Sequence, residues 1–119
     1  GYALAKELLT HSEAGGPPDA LFCGNDVIAL GALQYAQETG IRVPQELCIA
    51  GFDGISYASL AQIRLTTIRQ DRQRMGETAT HLLLDEIESN SEPAVQKVLL
   101  TPTLLAQATT GDMRLDGAR

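Results

Sequence analysis

The 119-residue sequence contains no tryptophan, and its few Tyr and Phe residues bring the aromatic content to only 4%. Its core must therefore be aliphatic, and a hydrophobic content of 44% is ample to build one, which excludes a disordered chain. Basic residues are scarce too: 9 Lys and Arg stand against 15 Asp and Glu, for a net charge of −6, with no basic cluster. Such a surface offers little to a phosphate backbone, so any DNA reading is expected from a part of the protein outside this chain. No apolar run approaches the ~20 residues of a membrane span, and no membrane partner is expected. The two cysteines, Cys23 and Cys48, each sit inside an apolar run. Small buried hydrophobes are favoured over a disulfide, in keeping with a reducing cytoplasm. The opening Gly1-Tyr2-Ala3-Leu4-Ala5 reads as the inside of a helix rather than a natural start, so a fragment of a longer protein is expected.

What is present is an alternation of helical and strand-like segments. Residues 2–9 have helical patterning, and Gly15-Gly16-Pro17-Pro18 breaks the chain. Short, continuously apolar strands are predicted at 20–24, 47–51 and 65–68, with a helix over 27–39 ended by Gly40 and a short helix near 56–62. Asp71 is a suitable N-cap for the longest helix, 71–88, whose Met75, Ala79, Leu82, Leu83 and Ile87 keep helical spacing. A loop over 89–94, extended segments at 97–100 and 104–108, and a polar tail over 111–119 complete the chain. Short apolar strands alternating with helices predict an α/β fold: a parallel sheet with helices on both faces.

The informative motif is a repeat. Gly24-Asn25-Asp26 follows the first strand, and Gly51-Phe52-Asp53 follows the second, 27 residues later. In a right-handed βαβ unit both turns emerge at the carboxyl edge of the sheet, where open α/β sheets bind ligands. Glycine permits the tight turn, and Asn and Asp supply acceptors that a polyol's hydroxyls require. Asp is equally an N-cap residue. Capping is the favoured reading for Asp26; for Asp53, capping and ligand binding both stand.

The run from Pro18 to Leu33, centred on Phe22-Cys23-Gly24-Asn25-Asp26, resembles the lactose-repressor/galactose-repressor (LacI/GalR) family. So do Gly40-Ile41-Arg42-Val43-Pro44, Ile49-Ala50-Gly51-Phe52-Asp53, Leu65-Thr66-Thr67-Ile68-Arg69-Gln70 and Met75-Gly76. The five motifs occur in register, over residues 1–110. The resemblance implies the C-terminal subdomain of a periplasmic-binding-protein-like type I fold, with the 71–88 helix belonging to another, mostly absent subdomain. It implies a small-molecule effector, and ligand contacts from Asp53, Asn25, Met75 and Arg72; Arg72 departs from the apolar residues some members carry there. The paired acceptors Asn25 and Asp53 favour a sugar or polyol over a purine. The implied protein is a cytoplasmic transcription regulator that reaches operator DNA only through a missing N-terminal domain. An exported sugar-binding protein of the same fold is the alternative.

Self-association is expected from the 27–39 helix. Of residues 27–36 only Gln34 is neither apolar nor Gly, and a helix apolar nearly all round must bury a second side. The resemblance implies a homodimer contact made by Val27, Leu30, Gly31 and Gln34 together with Tyr57, Leu60 and Ala61. The alternative is cover from the N-terminal helix and the tail of the same chain. No catalytic set is legible: His11 and His81 lack metal-ligand spacing, Ser12, Ser56, Ser59, Ser89 and Ser91 lack a nucleophile setting, and no phosphate or dinucleotide loop occurs. Neither enzyme activity nor a cofactor is expected.

Overall fold

In a computed structural model, residues 1–10, 16–89 and 95–111 are described. The expectations for His11, Ser12, Ser91, most of the 89–94 loop and the tail beyond Gly111 therefore lie outside the described residues. The elements run α1 (Tyr2–Thr10), β1 (Ala20–Phe22), α2 (Asp26–Thr39), β2 (Cys48–Ala50), a 3₁₀ turn (Ser56–Ser59), β3 (Thr67–Arg69), α3 (Arg72–Glu88), β4 (Thr103–Leu105) and a 3₁₀ turn (Ala108–Thr110). They fall into two compact units, Gly1–Arg69 with Thr103–Arg119, and Gln70–Pro102.

In the first unit β1 and β2 form a parallel ladder with Leu21 opposite Ile49. Single parallel bridges, Ala50 with Thr66 and Asp53 with Arg69, carry the line of β2 onto β3. β4 then pairs antiparallel with β3, Ile68 opposite Leu104. The predicted parallel βαβ order is thus present, with one antiparallel strand added. The third strand begins two residues later than its apolar pattern predicts, because Leu65 spends its apolar surface in the core while ladder pairing starts beyond it. Residues 97–100, predicted extended, form no strand, and Ala108 opens a 3₁₀ turn.

Leu47, Ile49 and Leu65 are almost wholly buried, each contributing about 1.5–3 kcal/mol of apolar burial. Ala29, Ala32, Leu33, Tyr35 and Ala36 bring α2 into the same cluster. The helix is bounded at both ends by its sequence. Asn25 Oδ1 accepts the Ile28 amide at 2.8 Å, and Gly40, at φ 77°, returns its N–H to the last turn. Burial pushes the Cys23 thiol above its ordinary pKa, and both cysteines are free.

Helix α1 lies on α2 where α2 has no side chain. A Cβ on Gly31 would stand 2.7 Å from the Tyr2 amide nitrogen, so glycine permits this approach. Tyr2 meets the Tyr35 ring edge-on at 5.3 Å and donates its hydroxyl to Glu38 at 2.6 Å. That bond raises the Tyr2 pKa and, with a second donor from Gln34, lowers that of Glu38.

A polar seam joins the chain's last described turn to the sheet. Thr109 Oγ1 donates to Ile49 O at 2.6 Å and accepts the Thr66 amide at 2.9 Å. The Thr66 hydroxyl donates to Gln107 O at 3.0 Å and accepts the Gln107 amide at 2.8 Å. These bonds satisfy buried polar groups in a region where an orphan would cost about 1–3 kcal/mol.

The second unit is built around α3, begun by Asp71, whose Oδ1 accepts the Arg74 amide at 3.0 Å as the sequence predicts. None of its residues is buried, and Met75, Leu83, Leu84 and Ile87 are exposed.

Candidate ligand-binding site

The two Gly-x-Asp turns meet at one edge of the sheet. The Asp26 amide donates to Phe52 O at 2.8 Å, joining the turn after β1 to the turn after β2. Both turns follow the carboxyl ends of parallel strands, the position where crevices of open α/β sheets take ligands.

Within this edge the residues take different parts from those their spacing predicts. Capping, the favoured reading for Asp26, is performed by its neighbour Asn25. Asp26 is the first residue of α2, fully buried, and its carboxylate accepts the Ile55 amide at 2.8 Å and the Thr67 hydroxyl at 2.5 Å. Asn25 is half-buried, with Oδ1 committed to the cap; its Nδ2 is the donor of the pair. The expectation that it presents an acceptor is narrowed to that extent.

Asp53 is half-buried and holds a φ of 114°, a conformation that L-residues rarely adopt. Its amide donates to Ile68 O at 2.9 Å, so the strained residue is tied to β3 rather than capping a helix. The following 3₁₀ turn is capped by Ile55 with no side-chain bond. Ile55, two residues after Asp53, is the N-cap position of that turn. Non-glycine residues held at positive φ cost about 1–3 kcal/mol and concentrate at functional sites. Gly54, at φ 66°, follows directly; a Cβ there would lie 2.7 Å from Arg69 Cα.

Arg72 and Met75 belong to the other unit, both exposed on the first turn of α3. Of the four ligand residues expected, Asn25 and Asp53 come together at one edge. Sequence reasoning missed Thr67, whose hydroxyl connects Asp26 to the Asp53 loop. Adjacent threonines in a strand signal β-propensity and give no hint of a partner 41 residues away.

A separate cavity of about 200 Å³ is lined by Leu33, Gln37, Ile41, Val43, Gln62, Ile63, Ala108 and Thr109. It includes neither Asn25 nor Asp53. The sheet edge, which carries both residues beyond the carboxyl ends of parallel strands, is the candidate.

Among the residues expected at a subunit contact, Val27, Gln34, Tyr57, Leu60 and Ala61 are exposed, Val27 and Tyr57 by 67% and 68%. Leu30 is half-buried. Gly31 has a different neighbour: α1 occupies the space above it. Cover from within the chain thus reaches Gly31 and leaves Val27 and Gln34 exposed, with Leu30 half-buried between them. Among the described residues no helix is long and apolar enough to cross a membrane.

The profile of the periplasmic binding protein-like domain matches residues 1–110. The HTH-type transcriptional repressor PurR of Erwinia tasmaniensis is 38% identical over 112 residues, covering 94% of this chain and 32% of the repressor. A LacI transcriptional regulator from a Rhodococcus species superposes with a TM-score of 0.80 at 33% identity, over 92% of this chain and 39% of that one. The lac repressor dimer bound to operator and the anti-inducer ONPF gives 0.78 at 31% identity, over 92% and 32%. The chain spans about a third of the length of the repressors it matches. A βαβ order with its two acidic turns at one edge, a family profile covering nearly the whole chain, and fold matches among repressors agree. The chain belongs to the periplasmic binding protein-like domain family, in the form carried by LacI-family transcription regulators.

Proposed function

We propose that this chain is the C-terminal part of the effector-binding and dimerising domain of a cytoplasmic, DNA-binding transcription regulator. The observation that carries the reading is the meeting of two acidic turns at one carboxyl edge, with Asp53 held at φ 114° by backbone bonds to β3. Asp53 accepts hydroxyl hydrogen bonds from the effector, and Asn25 adds a donor. The effector is a sugar or related polyol in preference to a purine, because a buried hydroxyl needs an acceptor and a carboxylate is the strongest one at this edge.

Effector binding acts by preferring one arrangement of the lobes over the other, which alters how DNA-reading domains outside this chain are held. The net charge of −6 supports placing DNA contact outside this segment. Val27, Leu30 and Gln34 on α2, with Tyr57, Leu60 and Ala61, form the contact of a symmetric homodimer, which suits a palindromic operator. The exposed apolar residues of α3 are covered by the remainder of the longer protein. The relatives named above are repressors and regulators, which weighs against both an exported sugar binder and an enzyme.

A thermal-shift panel on the longer protein tests the reading: D-glucose, D-galactose, D-ribose, sucrose, hypoxanthine and guanine, each at millimolar concentration. A ligand at 100 times its Kd stabilises by about 2.7 kcal/mol, a shift of several degrees. A shift with one of the four sugars supports the account. A shift with a base alone would replace the polyol by a purine.

A further inference from the structure

Asp53 owes its conformation to groups that lie beneath it. The Asp26 carboxylate is fully buried and accepts the Ile55 amide at 2.8 Å and the Thr67 hydroxyl at 2.5 Å. The Thr67 hydroxyl, itself almost wholly buried, also accepts the Gly54 amide at 3.2 Å. On the other side of Asp53, Phe52 O receives the Asp26 amide at 2.8 Å, and the Asp53 amide is spent on Ile68 O at 2.9 Å. The peptide groups of residues 52, 53, 54 and 55 are thus each tied to Asp26, Thr67 or β3. Gly51 completes the cradle: a Cβ there would collide with Asp26 Oδ1 and stand 3.1 Å from Asp26 Cα. Helix α2 and β3 therefore hold this loop through one buried carboxylate and one hydroxyl.

We infer that Asp26 and Thr67 are positioning residues for the effector contact: without touching the ligand, they hold the 51–55 loop in the form that presents Asp53. The inference rests on the reading of Asp53 as the effector contact. A strained φ persists only where surrounding bonds over-determine it, and here those bonds run to Asp26, Thr67 and β3. Loosening them lets Asp53 relax toward ordinary φ and withdraws its carboxylate from the place where it meets the effector. Affinity then falls although every ligand-touching residue is intact.

The neighbouring threonine supplies an internal control. Thr66 forms at least as many hydroxyl bonds as Thr67, but to Gln107 and Thr110 rather than to the Asp53 loop. Thr66→Val and Thr67→Val therefore remove comparable buried bonds from one stretch of chain, and only the second releases the loop.

The test is made on the longer protein with four variants: Thr67→Val, Thr67→Ser, Thr66→Val and Asp53→Ala. Binding of the panel compound with the largest thermal shift is measured by calorimetry. Thr67→Val is expected to raise Kd about tenfold, the loss of one charge-assisted bond's worth of positioning. Thr67→Ser, which keeps the hydroxyl, should return Kd to within about threefold of wild type. Thr66→Val should lower the melting temperature with Kd unchanged. Equal Kd for Thr67→Val and wild type, with Asp53→Ala weakened, overturns this inference alone. Unchanged Kd for Asp53→Ala overturns the reading beneath it. The ligand-free crystal structure of Thr67→Val tests the clamp without any effector. Asp53 leaving positive φ, with rapid Gly54 amide exchange, supports the clamp; φ near 114° with a protected Gly54 amide overturns it.

Discussion

Asp26 and Asp53 close turns of the same form, Gly24-Asn25-Asp26 and Gly51-Phe52-Asp53, at the same edge of one sheet, yet they end in opposite surroundings. Asp26 is sealed, its carboxylate consumed by the Ile55 amide and the Thr67 hydroxyl. Asp53 is half-buried at positive φ, with its backbone anchored to β3. The difference begins one residue earlier. Asn25 takes the cap, so Asp26 enters the first turn of a 14-residue helix and is carried inside. After Asp53 the chain runs through Gly54 and Ile55 before a four-residue 3₁₀ turn begins, so no helix draws this aspartate in. One short motif thus yields a sealed, hydrogen-bonded carboxylate in one copy and a half-buried aspartate at positive φ in the other. Asp26 of the first copy accepts the Ile55 amide from the loop that carries the second.

The largest effect is expected at the first turn. Asp26→Ala leaves the part-buried Ile55 amide and the buried Thr67 hydroxyl without their acceptor. At roughly 1–3 kcal/mol for each orphan, unfolding in urea should show a loss of about 3 kcal/mol or more. Gly51→Ala should be comparably damaging, since its methyl group would press on Asp26. Stability within about 0.5 kcal/mol of wild type for either variant would mean that the buried carboxylate is dispensable.

The two turns also launch the two halves of the open apolar surface, Val27 and Leu30 after the first, Tyr57 and Leu60 after the second. Leu30→Asp would bury a charge in a dimer contact at a cost of several kcal/mol. Light scattering at micromolar concentration should show a dimer for wild type and a folded monomer for Leu30→Asp. A wild-type monomer across that range would remove the partner from this surface. The smallest effect is expected at the cap: Asn25→Ala should cost about 1 kcal/mol of stability, and Asn25→Asp, which keeps an acceptor oxygen, much less. Equal losses for the two would show that the cap contributes little.

The sequence made some of this legible and not the rest, for physical reasons. The helices were readable because apolar spacing, Asn or Asp caps and Gly40 all act locally. Strand order and the meeting of the two turns at one edge followed from βαβ handedness, which needs only the sequence of elements. Strand limits were less readable: Leu65 is buried without being in the ladder, and apolarity reports burial rather than pairing. The cap expected of Asp26 falls to Asn25, since both are competent caps one residue apart and composition does not separate them. The Thr67 clamp and the Thr66 seam join residues more than 40 positions apart through groups common in any strand. The apolar stripe on α3 was legible from its helical spacing, and its residues are exposed in the second unit.

In the proposed reading the second turn meets the effector while the first supports it. The most direct test is calorimetry of the longer protein and its Asp53→Ala variant with the compound selected by the thermal-shift panel, together with operator binding in the absence of ligand. A carboxylate accepting hydroxyl bonds contributes roughly 1.5–3 kcal/mol per bond, so Kd should rise at least about tenfold while basal operator binding stays near that of wild type. An unchanged Kd in a folded Asp53→Ala protein would contradict the account and leave Asp53 as a structural feature of the loop.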